Sequence, residues 1–133
     1  MNTIRLVPRH ELPDCWPRLL ELLKPAMAFG QCEMEVDDIL ELALQGRMFV
    51  FANEDFAVTA EFVYYPRKTV MVVGYGAGKV PAYRNVAKVL IDAAEHVGAS
   101  AIRTYCRNPA MQRYYRRWFD GVEPTYTVLE KQL

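Results

Sequence analysis

Residues 69–106, TVMVVGYGAGKVPAYRNVAKVLIDAAEHVGASAIRTYC, decide the fold. Thr69–Tyr75 is rich in β-branched and apolar residues, which is typical of a strand. Pro81–Val97 has apolar residues at helical spacing, a proline in its first turn and Gly98 just past its end. Ala101–Cys106 is a second short strand. The stretch therefore predicts a right-handed crossover that joins two parallel strands through a helix.

The rest of the chain supplies the other elements of one domain, residues 1–133. Strands are predicted at Thr3–Val7, Arg47–Ala52, Phe56–Tyr65 and Thr125–Lys131, and helices at Leu12–Met27, from Val36 to a stop at Gly46, and at Pro109–Phe119. Pro66 in a tight turn makes an antiparallel hairpin with the strand that follows. The expected fold class is α/β, with a mixed sheet in which an antiparallel meander is joined to the parallel crossover.

Composition narrows the class of protein. The chain has 133 residues, 52% of them hydrophobic, with 16 basic and 16 acidic side chains. Because the formal net charge is zero, we do not expect a protein whose whole surface wraps a polyanion. No run approaches the roughly 18 apolar residues of a membrane-spanning helix, and no signal peptide is apparent. The histidines and cysteines are few and scattered, so we expect no metal site and a reducing cytoplasm.

The charges are unevenly distributed along the chain. Residues 1–61 carry 5 basic and 11 acidic side chains, residues 62–119 carry 10 and 2, and the last 14 carry 1 and 3. One interpretation is a site between the halves, with phosphates at one end and a cation at the other. The alternative is that the charges simply mix on the folded surface.

The crossover also predicts where a ligand binds. Open sheets with such a connection bind ligands beyond the carboxyl ends of the strands, at the helix N-terminus. Gly74, Gly76 and Gly78 fall there and should loosen the chain before the helix. Their GxGxG spacing does not match a dinucleotide loop, and Lys79 is followed by Val80 rather than the serine or threonine of a P-loop.

Two stretches carry a family resemblance. Val80-Pro-Ala-Tyr-Arg84 and Asn108-Pro-Ala-Met-Gln-Arg-Tyr-Tyr115-Arg-Arg-Trp-Phe119, with the element order over about residues 3 to 131, resemble the GCN5-related N-acetyltransferase (GNAT) family. The resemblance implies an acyl-CoA-dependent N-acetyltransferase, with acetyl-CoA as co-substrate and a small-molecule or protein amine as acceptor.

The sequence departs from the family's pyrophosphate loop, Arg/Gln-x-x-Gly-x-Gly/Ala. No glycine occurs between Arg84 and Gly98, and an alignment on Arg84 puts Ala87 and Val89 at the two glycine positions. Glycine lets backbone N–H groups approach a diphosphate closely, so this degenerate loop predicts reduced coenzyme affinity. The alternative function is therefore a catalytically inactive GNAT-fold binding or structural module, similar to small proteins of bacteriophage virions.

The resemblance implies a set of cofactor-binding residues around the start of the Pro81–Val97 helix. They are Lys79, Val80, Tyr83, Arg84, Asn85, Ala87, Lys88 and Asn108. Arg84 and Lys88 are equally explained as solvated helix residues, and Asn108 as the cap of the helix that follows.

The candidate catalytic residues are Tyr115 and Glu61. The resemblance implies that Tyr115 protonates the departing CoA thiolate, although Tyr114 or Tyr115 is also expected as core beside Trp118. Glu61 is the candidate general base if its strand points it into the cleft, and a solvent-facing residue otherwise. A backbone N–H would stabilise the oxyanion.

Acidic and basic clusters suggest partners. Glu33, Glu35 and Asp37 either attract the amine acceptor or favour the dipole of the helix behind them. The arginines of the last third lie among aromatic residues, but a protein-docking or solvated face is favoured over nucleic acid. A protein partner or homo-oligomer, and a cytoplasmic or virion location, are the corresponding expectations.

Overall fold

The structure is a computed structural model that describes residues 3–28, 33–106 and 109–133, and only the backbone of Tyr83. Within these ranges five strands form one sheet in the order β1-β2-β3-β4-β5. The strands are β1 Arg5–Leu6, β2 Phe49–Ala52, β3 Phe56–Tyr65, β4 Lys68–Gly78 and β5 Ala101–Thr104. The helices are α1 Leu12–Met27, α2 Val36–Leu44, α3 Tyr83–Val97 and α4 Pro109–Trp118.

The sheet has the predicted mixed topology. β1 to β4 pair antiparallel with their neighbours, and β4 pairs parallel with β5. The parallel pair is joined through α3, as the crossover in the sequence predicts. The expected fold class is thus confirmed.

Alternation along the strands divides the core into two layers. Phe56 and Val58 face a cluster that includes Val86 and Leu90 of α3, whereas Ala57 between them faces α1 and α2. The two clusters therefore lie on opposite faces of the sheet. We call these the α3/α4 face and the α1/α2 face.

The second helix begins and ends as the sequence predicts. At its start the Glu35 side chain accepts from the Asp38 N–H, and the Glu35 N–H donates to Asp38 Oδ2 at 2.7 Å. At its end Gly46 adopts a φ of 74°, and the Arg47 N–H reaches back to the Leu42 carbonyl at 2.9 Å. Both ends of this short helix are thereby hydrogen-bonded.

Two expectations are wrong. Gly74, Gly76 and Gly78 do not loosen the chain but continue β4, pressed against β3: a Cβ on Gly76 would lie 3.4 Å from a methyl of Val58. Thr125–Lys131 alternates but is not a strand, and its Leu129 is 90% exposed. Alternation makes a strand only where a neighbouring strand accepts its hydrogen bonds, and no such pairing forms there.

Element ends differ from the sequence predictions by the margins usual for helix and strand termini. The first strand shortens to Arg5–Leu6, the crossover helix begins at Tyr83, and the last helix ends at Trp118. β5 ends at Thr104, before Tyr105 and Cys106. None of the helices in the described ranges has the length and apolar character needed to cross a bilayer.

Gly78 is where the backbone fixes the end of β4. Its φ is 106°, a Cβ there would overlap the Asp55 carbonyl, and the Lys79 N–H donates to that carbonyl at 2.8 Å. Gly98 has a similar φ of 87° but open space around it. A side chain at Gly98 would therefore meet conformational strain alone, whereas a side chain at Gly78 would meet strain and steric overlap together.

We expect Gly98→Ala to lower the free energy of unfolding by about 1 kcal/mol, from left-handed strain alone. Gly78→Ala should cost on the order of 3 kcal/mol, because overlap with Asp55 adds to the strain. Urea unfolding of both variants checks this. Equal losses would contradict a close approach of the β2–β3 turn to β4.

Candidate functional site

The strands β4 and β5 separate at the carboxyl end of the sheet. They pair over four residues only, from Val70 opposite Ala101 to Val73 opposite Thr104. β4 then continues to Gly78, whereas β5 has ended. The sheet is therefore open beyond Val73 and Thr104, next to the start of α3, where the crossover predicts a ligand.

A bulge in β4 marks the place where the strands separate. Val58 pairs with Gly76 and Ala60 with Val73, so two residues, Gly74 and Tyr75, face Thr59. The Tyr75 N–H donates to the Thr59 hydroxyl at 2.9 Å, and Thr59 is fully buried. A Cβ on Gly74 would lie 2.8 Å from that hydroxyl oxygen. Threonine and glycine thus fix the bulge together.

Tyr115 lies at the end of the β4–β5 pairing. Its ring is buried and packs edge-on against Trp118, with centroids 5.2 Å apart, whereas Tyr114 is exposed. Burial raises the pKa of Tyr115, and a hydrogen bond to Thr104 partly opposes the shift. The Thr104 hydroxyl in turn donates to the Val73 carbonyl at 3.1 Å. Of the two tyrosines that the sequence left open, Tyr115 is the buried one.

The start of α3 is uncapped by any side chain. Ala82 occupies the N-cap position, and the N–H groups of Asn85 and Val86 return to its carbonyl at 2.9 and 3.3 Å. In an α-helix the first N–H groups have no partner within the helix. Those of Tyr83 and Arg84 are therefore the donors that a phosphate at this end would meet.

The burial of Val86 fixes the rotation of α3. Val86 is fully buried on the α3/α4 face and Ala87 is nearly so. If Val86 is the central residue of the Gly-x-Gly/Ala pattern, Asn85 and Ala87 take the flanking small-residue positions. This alignment avoids Val89, but it puts Asn85 at a glycine position and Ala82, rather than Arg84, at the Arg/Gln position.

Asn85 has a structural partner. Its side-chain oxygen accepts a hydrogen bond from the Ile4 N–H at 2.9 Å, so the side chain is directed toward the residue that precedes β1. The Asn85 side chain, which glycine lacks, is therefore directed away from the N-terminal end of α3. The interaction also ties the N-terminal segment to the start of α3.

The basic residues near α3 differ in their surroundings. Lys88 pairs with Asp92 at 2.9 Å on the exposed side of the helix. Lys79 and Arg84 are exposed and form no salt bridge with the residues that the structure describes. Val80 is partly exposed between them. Asn108 lies outside the described residues, as does the Tyr83 side chain.

Glu61 lies on the other face of the sheet from Tyr115. Its neighbour Phe62 packs against the α3/α4 core, so Glu61 points to the α1/α2 face, where it is exposed. Tyr75 lies on the same face. Burial raises the pKa of Tyr75, as do a hydrogen bond to Glu33 and the nearby charge of Glu61. The negative charges of Glu33 and Glu61 therefore both act on the Tyr75 phenol.

The other two acids of the helix link have structural roles. Glu35 completes the cap of α2, and Asp37 accepts a hydrogen bond from the Trp16 indole at 3.2 Å. Thr59, Tyr75 and Thr104 were not singled out by the sequence analysis. The signal at Thr59 was a hydroxyl at a fully buried strand position, which is otherwise rare, whereas Tyr75 and Thr104 are half-buried. No group of three or more potential metal ligands occurs among the described residues.

Comparison of the whole fold gives clear matches. An aminoglycoside acetyltransferase from an uncultured soil metagenomic sample, in complex with sisomicin, superposes with a TM-score of 0.67 at 14% identity, covering 98% of this chain and 95% of that one. The fold is that of the GCN5-related N-acetyltransferases.

Two further GNAT-fold structures match over almost their full length. Ribosomal-protein-alanine N-acetyltransferase from Brucella melitensis has a TM-score of 0.66 at 16% identity, covering 99% and 100% of the two chains. A predicted acetyltransferase with acetyl-CoA from Clostridium acetobutylicum has a TM-score of 0.67 at 12% identity, covering 99% and 96%. No protein-family model and no curated protein matches the sequence.

The pKa shift of Tyr115 has a consequence for alkaline stability. Because the folded-state pKa lies above the usual value of 10.0, burial of the neutral phenol stabilises the fold below about pH 10, and this contribution is lost as pH rises through the folded pKa.

We expect Tyr115→Phe to be less stable than the wild type near neutral pH, by about 1 kcal/mol for the lost hydrogen bond. Its stability should then fall less steeply than that of the wild type above pH 10. Denaturant unfolding at several alkaline pH values checks both. Parallel pH profiles for the two proteins would show that Tyr115 is not held neutral by burial.

Proposed function

We propose that this protein is an N-acetyltransferase that transfers the acetyl group of acetyl-CoA to an amine. The single observation that carries the proposal is the buried Tyr115, which packs on the α3/α4 face where the pairing of β4 and β5 ends at Val73 and Thr104. An ionisable proton donor at the point where a sheet opens is suited to a leaving group that lies between the strands.

The residues at the start of α3 fit the diphosphate of the coenzyme. Two first-turn N–H groups, the positive end of the helix dipole and the exposed Arg84 and Lys79 all favour an anion there. Ala87 is small enough for the pattern, and Asn85 is held aside by Ile4. Lys88, paired with Asp92, contributes less than the sequence suggested.

The chemistry is a direct transfer. Acetyl-CoA supplies the thioester, whose C–S bond breaks as the C–N bond to the amine forms. Glu61 accepts the proton that the amine loses, either directly or through water, from the α1/α2 face. Tyr115 gives its proton to the departing sulfur and regains one from solvent. Glu33, beside Tyr75, adds negative charge that attracts an ammonium group.

The similar folds support the acceptor class. The matched structures include an enzyme bound to sisomicin and one described as acting on an alanine of ribosomal proteins. Both names refer to amines as acceptors. We therefore place an amine, rather than an alcohol or thiol, on the side of Glu61.

A non-catalytic binding module is the second candidate. It is favoured by the Thr104 hydroxyl, which donates to the Val73 carbonyl at the point of separation, and by the lack of glycine from Lys79 to Val97. Binding of acetyl-CoA distinguishes the two candidates, because a ligand that binds only the native state must raise its stability.

We expect saturating acetyl-CoA to raise the melting temperature of the wild type. Arg84→Gln should weaken binding about fivefold to tenfold by removing a charge-assisted contact. Lys24→Gln, which removes a solvated charge from α1, is the matched control and should bind like the wild type. If acetyl-CoA does not stabilise the wild type, the proposed N-acetyltransferase activity is overturned and the non-catalytic binding module is favoured.

Tyr115→Phe should lower kcat by about a hundredfold, since general acid catalysis contributes at least this much in typical enzymes. Its affinity for acetyl-CoA should stay the same, because the ring remains packed. Tyr114→Phe, on the exposed side of α4, should keep the wild-type rate. A steady-state assay of CoA release measures all three, and an unchanged kcat in Tyr115→Phe would remove this residue from the mechanism.

A further inference from the structure

Glu61 and Arg103 lie in one row across the α1/α2 face. Glu61 pairs with Val72, and Val72 pairs with Arg103. The adjacent row, formed by Phe62, Met71 and Ile102, packs into the α3/α4 core. Since neighbouring residues of a strand point to opposite faces, the acid and the guanidinium project to the same side.

Arg103 contacts two tyrosines, Tyr65 and Tyr126. Its Nη1 donates to the Tyr65 hydroxyl at 3.2 Å, and its guanidinium carbon lies 5.9 and 5.2 Å from the ring centroids of Tyr65 and Tyr126. A guanidinium has five N–H donors, so this arrangement leaves others for an anion. No carboxylate among the described residues pairs with it.

Glu61 is likewise without a cationic partner in the described part of the chain. Arg103 does not neutralise it, because the guanidinium is drawn toward Tyr65, four residues farther along β3. β3 and β5 are two strand spacings apart, so the two charges are on the order of 10 Å from each other. The face therefore presents a negative and a positive pole that do not cancel.

We propose that this face selects an amine acceptor that carries an anionic group about 10 Å from its amino nitrogen. This inference rests on the proposed acetyl transfer. Glu61 receives the ammonium group and Arg103 the anion, while Tyr65 and Tyr126 position the guanidinium. An extended tripeptide with free termini has a matching length, at most about 10 Å.

The choice of a peptide follows from the distance between the two charges. Val72 between Glu61 and Arg103 is buried, and the exposed side chains beside the charges are those of Tyr65 and Tyr126. An extended chain can bridge the two charges over these side chains, whereas a compact amino acid spans too short a distance to reach both.

Triglycine and triglycinamide test the proposal, since they differ only in the terminal carboxylate. Calorimetric titration of the wild type should show triglycine binding about tenfold more tightly, as expected for one charge-assisted contact. Arg103→Gln should remove the difference. Tyr126→Leu, which loosens the guanidinium, should reduce it.

Arg67→Gln is the matched control. Arg67 is an exposed charge in the turn after Tyr65, and it does not belong to the set of Glu61, Arg103, Tyr65 and Tyr126 that is proposed to bind the peptide. It should keep the preference for triglycine. Equal affinity of the wild type for both peptides, including no measurable binding of either, overturns the proposal. So does a preference that survives in Arg103→Gln while circular dichroism shows a native fold.

The result is separable from the test of acetyl transfer. If the wild type binds acetyl-CoA and acetylates both peptides at equal rates, the proposed acetyl transfer is supported and the proposed selectivity is wrong. If the wild type prefers triglycine but does not bind acetyl-CoA, the selectivity is supported and the proposed acetyl transfer is wrong.

Discussion

The short parallel pairing between β4 and β5 is the constraint on which the site depends. The ladder ends because β4 bulges at Gly74 and Tyr75, where the buried Thr59 hydroxyl takes an N–H that would otherwise pair with a strand. From that point β4 follows β3 toward Gly78 while β5 stops. The opening is thus built into the backbone and does not depend on a flexible loop.

Both candidate catalytic groups take their positions from this geometry. Tyr115 meets the last residue of β5 from the α3/α4 face, and Glu61 projects from the α1/α2 face. A bond that forms between the strands would therefore have its proton acceptor and its proton donor on opposite sides. Such an arrangement keeps the carboxylate and the phenol on separate faces of the sheet.

The sequence predicted the helices and strands that have strong apolar periodicity. It did not predict the segments whose structure depends on contacts with residues distant in the chain. α2, α3 and the crossover follow from apolar spacing and from Gly46 and Gly98, which are local signals. Thr125–Lys131 has an equally clear alternation, but a strand also needs a hydrogen-bonding edge. The sequence predicts a loop at the β4 glycines because the residues that they contact, Thr59, Val58 and Asp55, lie 15 to 23 positions earlier in the chain.

The same distinction applies to the site. Tyr115 was a candidate from sequence, but only packing against Trp118 separates it from Tyr114. Among the link acids, the Asp38 N–H engages Glu35 and the Trp16 indole engages Asp37, which leaves Glu33 at Tyr75. Of the three acids that the sequence grouped together, tertiary hydrogen bonds thus leave Glu33 as the one whose charge reaches Tyr75.

Asn85 at the start of α3 is larger than the glycine of the GNAT pyrophosphate pattern, and its side chain has a partner in the Ile4 N–H. At a glycine position its side chain would obstruct a diphosphate only if it pointed outward from the helix start, and the Ile4 N–H gives it a reason to point elsewhere. The hydrogen bond satisfies a backbone donor just before the two-residue edge strand β1. The same contact joins that edge of the sheet to the N-terminus of α3.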